Sequence, residues 1–245
     1  AVYSVYHMIA FSLRSIVTSF TGGMEAVFGN MIAKGEKKEL LDAYKRYKFI
    51  LSFLTLTVFG TAAALIVPFV MLYTHGTTDV DYSRPVFAIL ILLSEAINCL
   101  ILPCFNLPIA ANKLKESQLG AYSEAAINLV LSIALVFWNP LVGIALGTLL
   151  SSVFKAFYYM MFSAKHVLGV KPARIIADFL VIMAGLVIVS AVGMTVASTL
   201  PLYNYTRWVA GGFVTVAATG AVSLVVSGGM YSNVVKLLFG KIKRG

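Results

Sequence analysis

Residues 49–73 read FILSFLTLTVFGTAAALIVPFVMLY, with no charged side chain between Phe49 and Tyr73. A run of that length exceeds the roughly 20 apolar residues that a helix needs to cross the hydrocarbon core of a bilayer. Its apolar residues are continuous and show no period-2 alternation, which selects a helix over the strand of a membrane barrel. Six more stretches of the same character lie on either side, at roughly 1–33, 86–111, 119–138, 141–164, 176–200 and 208–235. Trp208 to Val235 is also free of charge. The expected fold class is all-α, a polytopic transmembrane bundle of about seven transmembrane helices.

The composition agrees. Hydrophobic residues make up 60% of the 245 and charged residues only 12%, about half the charged share of a soluble domain; the mean hydropathy is +0.90. The net charge of +9 does not imply a nucleic-acid partner. The basic residues fall between the apolar stretches, without the aromatic interleaving of a nucleic-acid face. Two cysteines, Cys99 and Cys104, fall inside one stretch and read as buried thiols rather than a disulfide.

The connections alternate in charge. One set holds fifteen Lys and Arg, including Lys34, Lys37, Lys38, Lys45, Arg46, Lys48, Lys113, Lys165, Lys171, Arg174 and the tail from Lys236. The other holds two, Arg84 and Arg207. The positive-inside rule puts the fifteen in the cytoplasm. The expectation is a multi-pass protein of the inner (plasma) membrane, with residue 1 outside and the C-terminus cytoplasmic. Within the linker, Leu40, Leu41, Tyr44 and Tyr47 recur at helical spacing against Lys37, Lys38, Lys45 and Lys48. That pattern predicts an amphipathic helix over 35–48 lying on the inner surface.

Pro103 and Pro108 interrupt the third stretch and predict a kink, readable as packing irregularity or as a hinge for alternating access. Gly143-x-x-x-Gly147 predicts a face that another helix approaches closely. Gly22-Gly23 and Gly211-Gly212 carry the same expectation.

Charges within apolar stretches are costly in lipid and mark cavities or partners. Arg14 and Lys155 read either as snorkelling or ion-paired groups, for example with Glu95, or as an anion site in a transport cavity. An Arg keeps its charge and can clamp a phosphate with two parallel donors. Glu25 and Glu95 read as ion-pair partners or as carriers of a coupling proton or sodium ion, with Asn98 one turn from Glu95. Glu124 and Asp178 lie near the cytoplasmic ends of their stretches and are expected at the headgroups. No His pair has metal-ligand spacing, and no phosphate loop or nucleophile elbow is present. No metal, cofactor or enzymatic activity is expected.

Several segments resemble one family. Ala1-Val2-Tyr3-Ser4-Val5-Tyr6-His7-Met8-Ile9 is similar to the start of a mid-chain helix in polysaccharide-export flippases of the multidrug/oligosaccharidyl-lipid/polysaccharide exporter superfamily. Gly29-Asn30-Met31-Ile32-Ala33-Lys34, followed by a basic helix ending Tyr44-Lys45-Arg46-Tyr47, resembles that family's exit into a cytoplasmic linker. Val67-Pro68-Phe69 with Tyr73-Thr74-His75-Gly76 resembles the end of the next helix. Glu124-Ala125-Ala126-Ile127-Asn128-Leu129 and Val142-Gly143-Ile144-Ala145-Leu146-Gly147-Thr148 resemble the following helix pair. The resemblance spans residues 1–170.

It implies a two-lobe flippase fold of which this chain is the second lobe without its first helix. Residues 1–170 would form a partial transport lobe of five helices, with its linker at 34–48. Residues 171–245 would add two helices and a basic cytoplasmic tail. The implied activity is the flipping of an undecaprenyl-pyrophosphate-linked oligosaccharide for cell-surface polysaccharide biosynthesis. The implied partners are membrane lipid, the lipid-linked oligosaccharide and the missing N-terminal lobe. Arg14 falls on the cavity-lining helix of such a lobe and is the implied pyrophosphate contact, with Lys155 the weaker candidate. A cation-coupled multidrug exporter of the same superfamily, using Glu95 and Asn98, and a non-transporting truncated relic are the alternatives.

Overall fold

The computed structural model describes residues 2–77, 80–202 and 204–230. Among them the regular structure is entirely helical. Nine α-helices follow in order: α1 (Val2–Ser19), α2 (Met24–Ala33), α3 (Lys37–Tyr73), α4 (Pro85–Leu100), α5 (Leu102–Ala110), α6 (Leu114–Val136), α7 (Pro140–Ser163), α8 (Pro172–Ser198) and α9 (Tyr205–Met230). A single π-helical turn, Ala164–Leu168, extends α7.

Five of these helices are long and apolar enough to cross a membrane: α3, α6, α7 with its π turn, α8 and α9. The bent pair α4–α5 makes a sixth if it counts as one span. The expected seventh is not among them: α1 is 18 residues long but carries His7, Arg14 and several serines, and the first apolar stretch does not continue as one helix. It breaks at Gly22-Gly23, where Gly23 has φ 81, a left-handed backbone that residues with a Cβ avoid. Nothing lies within 4 Å of where a Cβ would stand on either glycine. Gly22-Gly23 therefore makes a turn rather than the expected packing face.

The third stretch bends by 40° between α4 and α5. Pro103, in the first turn of α5, lacks the N–H that would reach Cys99, and its ring crowds that carbonyl. Pro68 is accommodated inside α3, near its end.

The helix α3 is the axis of the bundle, packed against α1, α4, α8 and α9. It is continuous from Lys37 to Tyr73. The amphipathic linker is thus helical from 37 onward but is no separate surface helix; it is the first part of a span. Leu40, Tyr44 and Tyr47 are buried, while Lys37, Lys38 and Lys45 are exposed. Lys48 departs from the pattern. It is buried and pairs with Asp178 of α8 at 3.0 Å, so Asp178 holds two helices together at this end.

Close approach decides the α6–α7 interface. A Cβ on Gly143 would run into the Leu135 carbonyl oxygen of α6, and one on Gly147 into Ser132. The Gly-x-x-x-Gly face thus seats α6 directly on the backbone of α7. The face of α9 turned inward carries Gly211, Thr215, Thr219, Ser223 and Ser227, all buried. Thr219 shares a 2.7 Å hydrogen bond with Thr61 of α3. Gly211 meets Leu202 and Leu200 of the preceding loop rather than another helix.

The starts of α3, α6 and α8 gather with α2, α5 and the π turn at one end of the bundle. That end carries Lys34, Lys37, Lys38, Lys45, Arg46, Lys113, Lys165, Lys171 and Arg174. Arg84 and Arg207 lie at the opposite end, beside Tyr6 and Trp208. The basic tail from Lys236 lies outside the described residues. Cys99 and Cys104 are buried free thiols.

Candidate functional site

α1 and α4 run in the same direction, since Tyr6 meets Phe87 and Arg14 meets Glu95. Tyr6 anchors one end by donating to the Tyr82 carbonyl at 2.8 Å. Arg14 lies about 12 Å farther along the helix, at 1.5 Å per residue. Its Nη1 donates to Glu95 Oε2 at 3.1 Å. The Glu95 side chain is 10% exposed and that of Arg14 35% exposed. Glu95 uses up one corner of the guanidinium. The rest of the five-donor fork has no other side-chain bond among the described residues.

A second pair lies between α6 and α7. Lys155 Nζ stands 3.1 Å from Glu124 Oε2 and 3.2 Å from Oε1, with side chains 19% and 23% exposed. The same ammonium lies over the Phe105 ring at 5.7 Å. Glu124 is therefore the partner of Lys155.

A third polar contact joins α4 to α7. Ser94, adjacent to Glu95, shares a 2.9 Å bond with Ser152 of α7, and Asn98 Nδ2 donates to the same Ser152 Oγ at 3.4 Å. Ser152 stands one turn before Lys155, on the same helical face. Polar side chains thus recur across four helices as two ion pairs, Arg14–Glu95 and Lys155–Glu124, with the hydrogen-bonded Ser94, Asn98 and Ser152 between α4 and α7. Asn98 Oδ1 is buried with no partner. Each pair cancels its charge locally, which lowers the cost of placing it in a low-dielectric interior.

The candidates named from sequence divide accordingly. Arg14 and Glu95 come together, while Asn98, one turn along α4, bonds Ser152 of α7 instead. Lys155 belongs to the second pair. Glu25 stands apart, exposed in the first turn of α2 and in no ion pair among the described residues. Ser94 and Ser152 were not singled out. The available signal was weak, since single serines in apolar helices are common and usually bond to their own backbone.

The outward face of α1 is rich in small hydroxyls. Ser4, Ser12, Ser15 and Ser19 are exposed. Ser12, Ser15 and Ser19 donate to Met8, Phe11 and Ile16 carbonyls of their own helix. On the adjoining side, an apolar groove of about 470 Å³ runs between α1, α3 and α9, lined among others by Met8, Ile16, Phe69 and Trp208.

No protein-family model, no curated protein and no solved structure matches this chain.

Proposed function

We propose that the chain is the C-terminal half of a transporter that flips a lipid-linked oligosaccharide across the plasma membrane, with its basic end in the cytoplasm. Arg14 carries the reading. Its side chain is held toward α4 by Glu95, on the side of α1 that carries the buried Tyr6, Ala10 and Val17, yet stays a third exposed, and an arginine left open to hydrocarbon is costly. Its spare donors suit a pyrophosphate, which takes bidentate Arg contacts. The groove beside α1 suits the lipid's hydrocarbon chain.

The test is transport by the complete protein, with its upstream lobe, reconstituted in vesicles. Arg14→Lys keeps the charge opposite Glu95 but removes the planar fork. A purely structural pair tolerates that change, whereas a pyrophosphate clamp loses transport at normal abundance. Unimpaired transport in Arg14→Ala rejects the reading.

One observation favours a cation-coupled exporter as the second reading: the unpartnered Asn98 Oδ1, one turn from Glu95. Arg14 competes for that carboxylate, which places this reading second. Asn98→Ala abolishing dependence on a sodium or proton gradient is its expected signature. Unchanged gradient dependence removes it.

A further inference from the structure

Four rings stack in register along α7 and its π turn. Phe154 and Tyr158 have centroids 6.4 Å apart, Tyr158 and Phe162 6.2 Å, and Phe162 and His166 4.5 Å, with interplanar angles under 30°. The spacing of four residues aligns them on one face. Gly120 of α6 leaves the room in which the Tyr158 ring lies. The ladder belongs to a helix long and apolar enough to cross a membrane, and it ends among cations.

A pocket of about 330 Å³ opens there, lined by Tyr158, Met161, Phe162, Lys165 and His166. Lys113, from the start of α6, donates to the His166 carbonyl at 3.2 Å, which brings a third basic side chain to the same spot and leaves two ammonium protons for a ligand. His166 Nδ1 lies 3.1 Å from the Phe162 carbonyl, a pure acceptor; Nδ1 therefore donates and Nε2 is left for another partner. The π turn leaves Lys165 and His166 both exposed. π turns inside α-helices recur at functional sites. No carboxylate lines the pocket.

We propose that this is a binding site for an anionic glycerophospholipid. One acyl chain lies along Phe154, Tyr158 and Met161, the phosphate is held by Lys165 and Lys113, and His166 Nε2 is left to accept from a headgroup hydroxyl. The occupant follows from complementarity in two directions: apolar rings at the depth of the hydrocarbon, and unopposed cations where the headgroups lie. The site is remote from Arg14 in the sequence and does not depend on the transport reading.

The experiment titrates the purified full chain in detergent with phosphatidylglycerol or phosphatidylcholine and counts bound lipid by native mass spectrometry. Phosphatidylglycerol is expected to bind more tightly. Lys165→Gln and Lys113→Gln should each weaken it about fivefold, the effect of one basic side chain near an anionic headgroup. Lys165→Arg should restore it, and Lys171→Gln, at the same end but outside the pocket, should leave it unchanged. Equal retention of the two lipids overturns the proposal. So does a loss in Lys171→Gln as large as that in Lys165→Gln, which would make the attraction a diffuse property of the basic end. Displacement by free glycerol phosphate at concentrations equal to the lipid would overturn the lipid assignment in favour of a phosphate site.

Discussion

α1 and α6 both stand at the edge of the bundle, and each supplies one member of an ion pair to an inner neighbour. Their outward faces differ. Leu119, Tyr122, Leu129, Val130 and Ile133 of α6 are more than half exposed, a surface that lipid solvates without cost. α1 presents Ser4, Ser12, Ser15 and Ser19 among Met8, Phe11 and Ile16, with a third of Arg14 open beside them. The pairs differ in the same sense: Lys155 touches both oxygens of Glu124 and an aromatic ring, whereas Arg14 gives one nitrogen to Glu95. In the α6 pair both oxygens of the acid and a ring face are engaged by the one ammonium. The α1 pair has donors to spare, and this separates a packing contact from a candidate site when both look alike in sequence.

The largest effect is expected at the α6 edge. Gly147→Leu forces a side chain into Ser132 of α6, and because α6 packs mainly on α7 no other interface holds it. A loss of about 3 kcal/mol or more is expected, read as a lower denaturation midpoint of the purified protein in micelles. Breaking the pairs comes next. Glu124→Gln strands Lys155 and should cost about 2–3 kcal/mol, below the figure for a wholly buried pair because both side chains are about a fifth exposed. Glu95→Gln should cost less, about 1–2 kcal/mol, since Arg14 can reach solvent or headgroups. Equal losses in the two variants would erase the distinction between the pairs. Ser152→Ala removes the link common to Ser94 and Asn98 and should cost about 1 kcal/mol. Combined with Glu124→Gln, it should show whether the polar contacts act as one network, by a double-mutant coupling above about 0.5 kcal/mol. Smallest of all, Ser15→Ala should shift stability by less than about 0.5 kcal/mol, because its hydroxyl bonds only its own helix. A larger loss would mean that the α1 face packs more tightly than its exposure indicates.

Much of this architecture was legible beforehand. The uncharged run at Phe49–Tyr73 could only be a buried or membrane helix, and the glycines at 143 and 147 marked a face for close helix approach, which α6 fills. Pro103 marks the bend, whereas Pro108 is accommodated inside α5. The break at Gly22-Gly23 was missed because a glycine pair in an apolar run reads equally as a packing face and as a turn, and the packing partner decides which. Lys48 was placed with the exposed lysines by its periodicity, but Asp178, far along the chain, draws it inward. The partnership of Glu124 with Lys155 likewise rests on helix packing, since nothing in its own stretch points to α7.

Composition and spacing alone determined that the chain is helical, that its helices are apolar enough for a membrane, and that its cations gather at one end. These properties follow from single residues and their neighbours along one helix, where hydropathy and a 3.6-residue period act locally. Only the tertiary structure decided which charges meet. The sequence offered Glu25, Glu95 and Glu124 as acids and Arg14 and Lys155 as bases, and no local rule pairs residues thirty to eighty positions apart. Helix packing pairs them, because a charge in a low-dielectric interior is stable only beside its opposite, and the backbone that brings them together is positioned by glycines, prolines and apolar faces elsewhere.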